Sequence, residues 1–285
     1  MTALPPAEAR LVFRDAARLR PRVTLSAGVA AADGSDGGWP RYAPAALVPQ
    51  PPWRAPTDAE WAALTQPLSD PSTPGNAAAR VAILRLPEEV VAPLLNAGHR
   101  AAEQPHQAFE ISRQPDAADA IDRVTEFLRD NGADAESIRS LGFCAKPRGL
   151  ATATVNTRRR RRAGLHLDRF DARPLSELAE SRVRLCFNIG RGDRYFLYCP
   201  HSVPQMAEVL GQSDPDGIDE IGRTFLEGRP DYPVVRVAVA PGEAYLAATE
   251  YLIHDATTQE IAEDWDIHVA FLCRLQGVGL LQDSL

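Results

Sequence analysis

The spacing of apolar residues changes part-way along the chain. Upstream of about residue 139 they recur at helical spacing, and downstream they fall in short alternating runs. "PDAADAIDRVTEFLRDNG" puts Ala117, Ile121, Val124 and Phe127/Leu128 on one face, which predicts a helix with Gly132 as its stop. "PEEVVAPLLNAGHRAAE" predicts another, because Pro87 suits a first turn and the two glutamates after it favour the helix dipole. "TDAEWAAL" predicts a shorter one, with Thr57 and Glu60 as a capping box. The later runs "ATATVN", "GLHLD", "RVRLCFNIG", "RYFLYC", "VVRVAVA", "EAYLAA" and "DIHVAFLCRL" predict short strands, interrupted by a helical insert at roughly 203–228.

This order predicts an α+β fold in which N-terminal helices flank an antiparallel barrel of jelly-roll type. Residues 31–56 are rich in Gly, Pro and Ala, which excludes a regular helix or a central strand there. The expected organisation is therefore an irregular Pro/Gly-rich arm with a short helix over 1–75. A single domain over 76–285 follows, with its barrel core at about 139–278. We find no internal repeat.

Candidate chemistry concentrates in two places. In "GLHLD" a strand would send His166 and Asp168 to one face and Leu165 and Leu167 to the other. In "PGEAYLAATEYLIHDA" the Pro241–Gly242 turn is followed by a strand and then by His254. Two histidines and one carboxylate on one side of a metal leave the remaining positions open, as in the facial triad of non-haem Fe(II) oxygenases. His268, on the last expected strand, is the competing histidine. In "SRVRLCFNIG" alternation groups Arg182, Arg184, Cys186 and Asn188 on one face, which suggests a polar cavity wall.

The H-x-D motif, the P-G-E turn and the distant histidine within a β-rich half resemble the Fe(II)/2-oxoglutarate-dependent oxygenase superfamily over about residues 140–275. The resemblance implies a double-stranded β-helix (cupin-like jelly-roll) core, with iron held by His166, Asp168 and His254. It also implies oxidative decarboxylation of 2-oxoglutarate, coupled through molecular oxygen to oxidation of a substrate. An Asp at 168 implies hydroxylation, desaturation or cyclisation rather than halogenation, because halogenating relatives carry a small residue there. The resemblance further implies a basic anchor for 2-oxoglutarate. Arg274 is the first Lys or Arg after His254 and is favoured on position. Arg184 is the alternative, with Asn188 as a hydrogen-bonding neighbour.

Composition narrows the remaining choices. With 45% hydrophobic and 24% charged residues the chain reads as globular, and no apolar run reaches membrane-spanning length. The N-terminus lacks the pattern of a secretory signal, and the four scattered cysteines form no C-x-x-C pair. A cytoplasmic protein with reduced thiols is expected. The net charge of −7 argues against general nucleic-acid affinity despite the arginine run 158–162. In a strand, Arg158, Arg160 and Arg162 would share the face of His166. The expected substrate is an amino acid, peptide or natural-product intermediate. The rival expectations are a cupin-like metalloenzyme without 2-oxoglutarate, and a non-catalytic barrel that binds an acidic partner through the arginines.

Overall fold

The alternation of the downstream runs resolves into two facing sheets, with helices over the outer face of the larger one. The computed structural model describes residues 6–33, 40–68, 76–212 and 217–275. The first part of the chain supplies β1 (Arg10–Phe13), α1 (Ala16–Leu19), β2 (Val23–Leu25), β3 (Gly28–Ala31), β4 (Leu47–Gln50), α2 (Asp58–Leu64) and β5 (Thr65–Pro67). Next come β6 (Arg80–Arg85), α3 (Glu88–Glu103), α4 (Ala108–Ile111) and α5 (Pro115–Asp130). The β-rich half begins with β7 (Arg139–Pro147), β8 (Val155–Asn156), β9 (Arg161–Arg162), β10 (Val183–Asn188) and β11 (Arg194–Ser202). It ends with α6 (Val203–Leu210), α7 (Ile218–Glu227), β12 (Val235–Val239), β13 (Glu243–Ala247), β14 (Leu252–Thr257) and β15 (Trp265–Cys273).

The larger sheet runs in the order β5-β1-β6-β13-β10-β15-β7, and the smaller in the order β14-β11-β12-β2. Strand alternation gives each a helix side or solvent side and an inner side. Leu185, Phe187, Ile267, Val269 and Phe271 pack toward Val91, Leu94, Val124 and Leu128 of α3 and α5. On the inner side, Phe196 of β11 stacks on Tyr245 of β13 with ring centroids 3.9 Å apart, joining the sheets. The predicted helices form where their caps place them. In α2, Thr57 Oγ1 accepts from the Glu60 amide, and the Glu60 carboxylate accepts from the Thr57 amide.

Two expectations differ from the structure. The first concerns the N-terminal segment, which was expected to be an irregular arm. Its β1 lies inside the larger sheet, parallel to β5 and β6, and its β2 pairs with β12. The run Leu11, Val12, Phe13 is buried throughout, so it has no alternation by which to be recognised. Within 31–56, β4 pairs with β3 in a two-stranded ribbon, which tolerates Pro49. Residues 1–5, 34–39, 69–75, 213–216 and 276–285 of the expected spans lie outside the described residues.

The second difference is that "GLHLD" forms no regular strand. It is an extended segment held to β14 by one antiparallel bridge, His166 to His254. Its entry depends on Gly164, at φ 77°, where an added Cβ would meet Leu47 O at 2.7 Å. Gly149 is a natural control, at φ 92° with nothing within 4 Å of an added Cβ. Alanine at either position incurs the left-handed backbone cost of ~1–2 kcal/mol. Only Gly164→Ala adds a steric clash. Urea unfolding should show Gly164→Ala to be the less stable variant by at least ~1 kcal/mol. Equal losses would mean that Leu47 does not constrain the segment.

Candidate metal centre

The bridge brings two histidines together by backbone alone. His166 N donates to His254 O at 3.1 Å, and His254 N donates to His166 O at 2.9 Å. The imidazole centroids are 4.7 Å apart. Asp168 joins them because its amide donates to Thr249 O at 2.9 Å, fixing the segment two residues further on. Beyond it, the Glu250 carboxylate accepts from the Asp171 and Ala172 amides, and Arg182 pairs with Asp171 at 2.6 Å. One ligand atom from each of His166, Asp168 and His254 lies within 4.8 Å of the others.

These residues fit a metal ion. Asp168 Oδ2 and His254 Nε2 are buried and receive or make no hydrogen bond, which is costly unless a further partner is intended. Oδ2 has Arg184 Nη2 at 2.8 Å, but without hydrogen-bond alignment. Leu165 and Leu167 are buried on the other face and hold the segment against the core. The group is compatible with a facial triad and could hold a metal ion.

Sequence reasoning missed Asp255. It follows His254 directly, and its Oδ2 lies 3.4 Å from His166 Nδ1. Its Oδ1 accepts from the Ala153, Thr154 and Ala256 amides and from the Thr154 hydroxyl, so the carboxylate is held rigidly. His166 Nδ1 also contacts Gly164 O at 2.9 Å, which leaves Nε2 facing Asp168 at 3.7 Å. A carboxylate behind a ligating imidazole fixes its tautomer and ring orientation. No spacing rule reveals this pairing, because it depends on the two segments lying side by side.

The neighbours set the protonation states. Burial would drive the proton from His166, but Asp168 and Asp255 outweigh it and hold its pKa up to about 10. Burial dominates at His254 and lowers its pKa. Burial opposes ionisation of Asp168, yet Arg184 and the two histidines hold it well below the usual carboxylate range.

The other expected site residues disperse. Arg184 reaches the cluster, while Arg274 is 46% exposed and pairs with Asp171 at 3.7 Å. The Asn188 amide is engaged in the turn after β10, donating to Gly192 O and Val239 O and accepting from Gly190 N. The arginine run is no strand leading to His166. It forms the tip and return of the β8–β9 hairpin, where Arg159 and Arg161, not 158, 160 and 162, share a cavity with His166. A turn at 157–160 resets the alternation that a continuous strand would have kept.

His268 belongs to a second polar cluster. Its Nδ1 is 3.0 Å from Asp266 Oδ2, and Asp266 Oδ1 is 3.1 Å from Arg194 Nε. Cys144 stands opposite His268 in the β7–β15 register. Burial would raise the Cys144 thiol, but His268 and Lys146 outweigh it and bring its pKa down to about 6.

No protein-family model matches the chain, and no curated protein matches it. The geometry therefore carries the functional argument alone. Among the described residues, no helix is long and apolar enough to cross a membrane.

Two predictions follow from these protonation states. A metal requires neutral imidazoles, and at pH 8 His166 is an imidazolium while His254 is a neutral imidazole and Asp168 a carboxylate. Metal binding should release about one proton per site, with affinity rising about tenfold per pH unit until His166 titrates near 10. Calorimetry in buffers of different ionisation enthalpy measures this, and zero release would contradict the assigned states. Separately, iodoacetamide at pH 7 should label partly exposed Cys144 ahead of buried Cys186, Cys199 and Cys273. The Cys144 rate should rise with pH to a midpoint near 6, and His268→Gln should move that midpoint upward. Peptide mass mapping that finds another cysteine labelled first would refute the thiolate.

Proposed function

We propose that the chain is a non-haem Fe(II)/2-oxoglutarate-dependent oxygenase that hydroxylates a small molecule or peptide. The observation that carries this reading is the convergence of two imidazole nitrogens and one carboxylate oxygen, with the facing atoms of Asp168 and His254 buried and unbonded. A set of one carboxylate and two histidines suits Fe(II) and leaves sites open for other ligands. The strand order supports a jelly-roll core. From β7 onward the chain passes repeatedly between the sheets. β10, β13 and β15 enter the larger sheet, while the His166 segment, β11, β12 and β14 lie with the smaller.

Fe(II) bound there would supply oxygen activation and a seat for the keto acid of 2-oxoglutarate. The protein's own residues supply orientation and charge. Asp255 fixes the ring of His166, and the bridge fixes the separation of the two histidines. For the distal carboxylate of 2-oxoglutarate we favour Arg184 over Arg274. Arg184 is on the inner face of β10 with its side chain 15% exposed, it touches the cluster, and its planar fork suits a carboxylate. Arg274 is half-exposed and reaches Asp171 rather than the cluster. Four free thiols agree with a cytoplasmic setting.

Anaerobic titration with Fe(II) and then 2-oxoglutarate should produce a weak visible charge-transfer band, and aerobic turnover should produce succinate. Iron binding without succinate would favour a metalloenzyme that needs no 2-oxoglutarate. Arg184→Ala should raise the 2-oxoglutarate requirement by roughly 30- to 1000-fold, the loss of a charge-assisted bidentate contact. Arg274→Ala should leave it unchanged. Iron content measured beside each variant separates anchoring of 2-oxoglutarate from support of Asp168. An unchanged requirement in Arg184→Ala would remove it as the anchor.

A further inference from the structure

The arginines of the β8–β9 hairpin differ in what they touch. Arg162 points inward and is 3% exposed. Its guanidinium lies over the Tyr42 ring at 4.0 Å, and its Nε donates to Pro40 O at 2.9 Å. The Tyr42 hydroxyl accepts from the Thr152 amide at 3.2 Å. The hairpin is thereby fixed to the body of the protein.

Arg159 and Arg161 wall a cavity of about 280 Å³ whose lining includes His166. The same two residues, with Arg41 and Arg160, line an adjoining cavity of about 470 Å³. Arg223 and Glu220 also face the first cavity and pair with each other there, while Arg223 reaches Glu227 as well. Asp219 then stands alone against Arg159 and Arg161. Among the described residues, Arg41, Arg159 and Arg161 have no carboxylate partner; Arg161 contacts only the Tyr42 carbonyl, at 3.4 Å.

We infer that this arginine chamber is an oxyanion subsite, which holds the phosphate or carboxylate of a small substrate whose remainder extends along the cavity to His166. The word substrate rests on the oxygenase reading above. The anion subsite itself does not. Guanidinium groups bind such oxyanions through paired, charge-assisted hydrogen bonds. Cavities of a few hundred Å³ match small ligands rather than an extended polymer. The net charge of −7 works against a polyanion lying across the surface.

The test uses metal-free full-length protein at low ionic strength, titrated calorimetrically with inorganic phosphate and, separately, with acetate. The double variant Arg159→Ala/Arg161→Ala should weaken the tighter anion by about tenfold or more, as the loss of two charge-assisted contacts requires. Arg158→Ala, at a position that lines neither cavity, should change affinity less than about twofold. All three side chains replaced are exposed, and thermal unfolding checks that the fold persists. A preference for phosphate identifies a phosphorylated substrate, and comparable acetate binding identifies a carboxylate; both support the subsite. The inference is overturned by three results. These are no binding of either anion, equal losses in Arg158→Ala, or tighter binding of a thymidine oligonucleotide that depends on every arginine alike. Failure of wild-type protein to bind Fe(II) would refute the oxygenase reading and leave the anion result standing.

Discussion

A single antiparallel bridge, two reciprocal hydrogen bonds between His166 and His254, is the constraint on which the site depends. It sets how closely the two residues approach through backbone geometry, and the rotamers held by their neighbours then place the imidazoles 4.7 Å apart. The surrounding structure exists to hold the short segment that makes the bridge. Gly164 turns the chain into it, Leu165 and Leu167 fasten it from behind, and the Glu250 carboxylate grips the loop beyond Asp168. The larger sheet contributes through Arg184, which crosses the interior to reach Asp168. Positioning groups through rigid neighbours is what catalytic geometry demands.

The interior between the sheets holds several charged groups in a space bounded by Phe196, Tyr198 and Tyr245. Its charges occur in compensated groups. Asp168 and Asp255 face Arg184 and His166, and at the other end of β15 Asp266 faces Arg194 and His268. Buried ions survive only when paired, so each group fixes the relative placement of the strands that carry it. The two groups also separate their chemistry. One presents unbonded donor atoms suited to a metal, whereas the other lowers the pKa of a thiol.

Much of this was legible in the sequence, for identifiable reasons. α2, α3 and α5 carried helical periodicity and caps, and the alternation of "RVRLCFNIG" correctly separated Leu185 and Phe187 from Arg184. His166, Asp168 and His254 were recognised by residue type and spacing, and the structure brings them together. Features that depend on pairing across the fold were hidden. β1 is buried on both sides, so it shows no period. Asp255 acquires its role only because β14 lies beside the His166 segment. Asn188 was assigned to the cavity from its face alone, but its amide donates to Gly192 O and Val239 O and accepts from Gly190 N, tying the turn after β10 to the end of β12. The arginine run read as one continuous pattern until a turn divided it.

That division bears on how such a site can change over generations. Arg162 carries the buried contact with the Tyr42 ring, while its neighbours at the hairpin tip are exposed and line the cavities. Exposed positions usually accept substitution at little cost in stability. The tip can therefore be rewritten residue by residue, altering the sign, reach or bulk presented to an incoming molecule, while the bridge beneath keeps its registry. A duplicated gene could explore new chemistries at the entrance without first having to solve folding again.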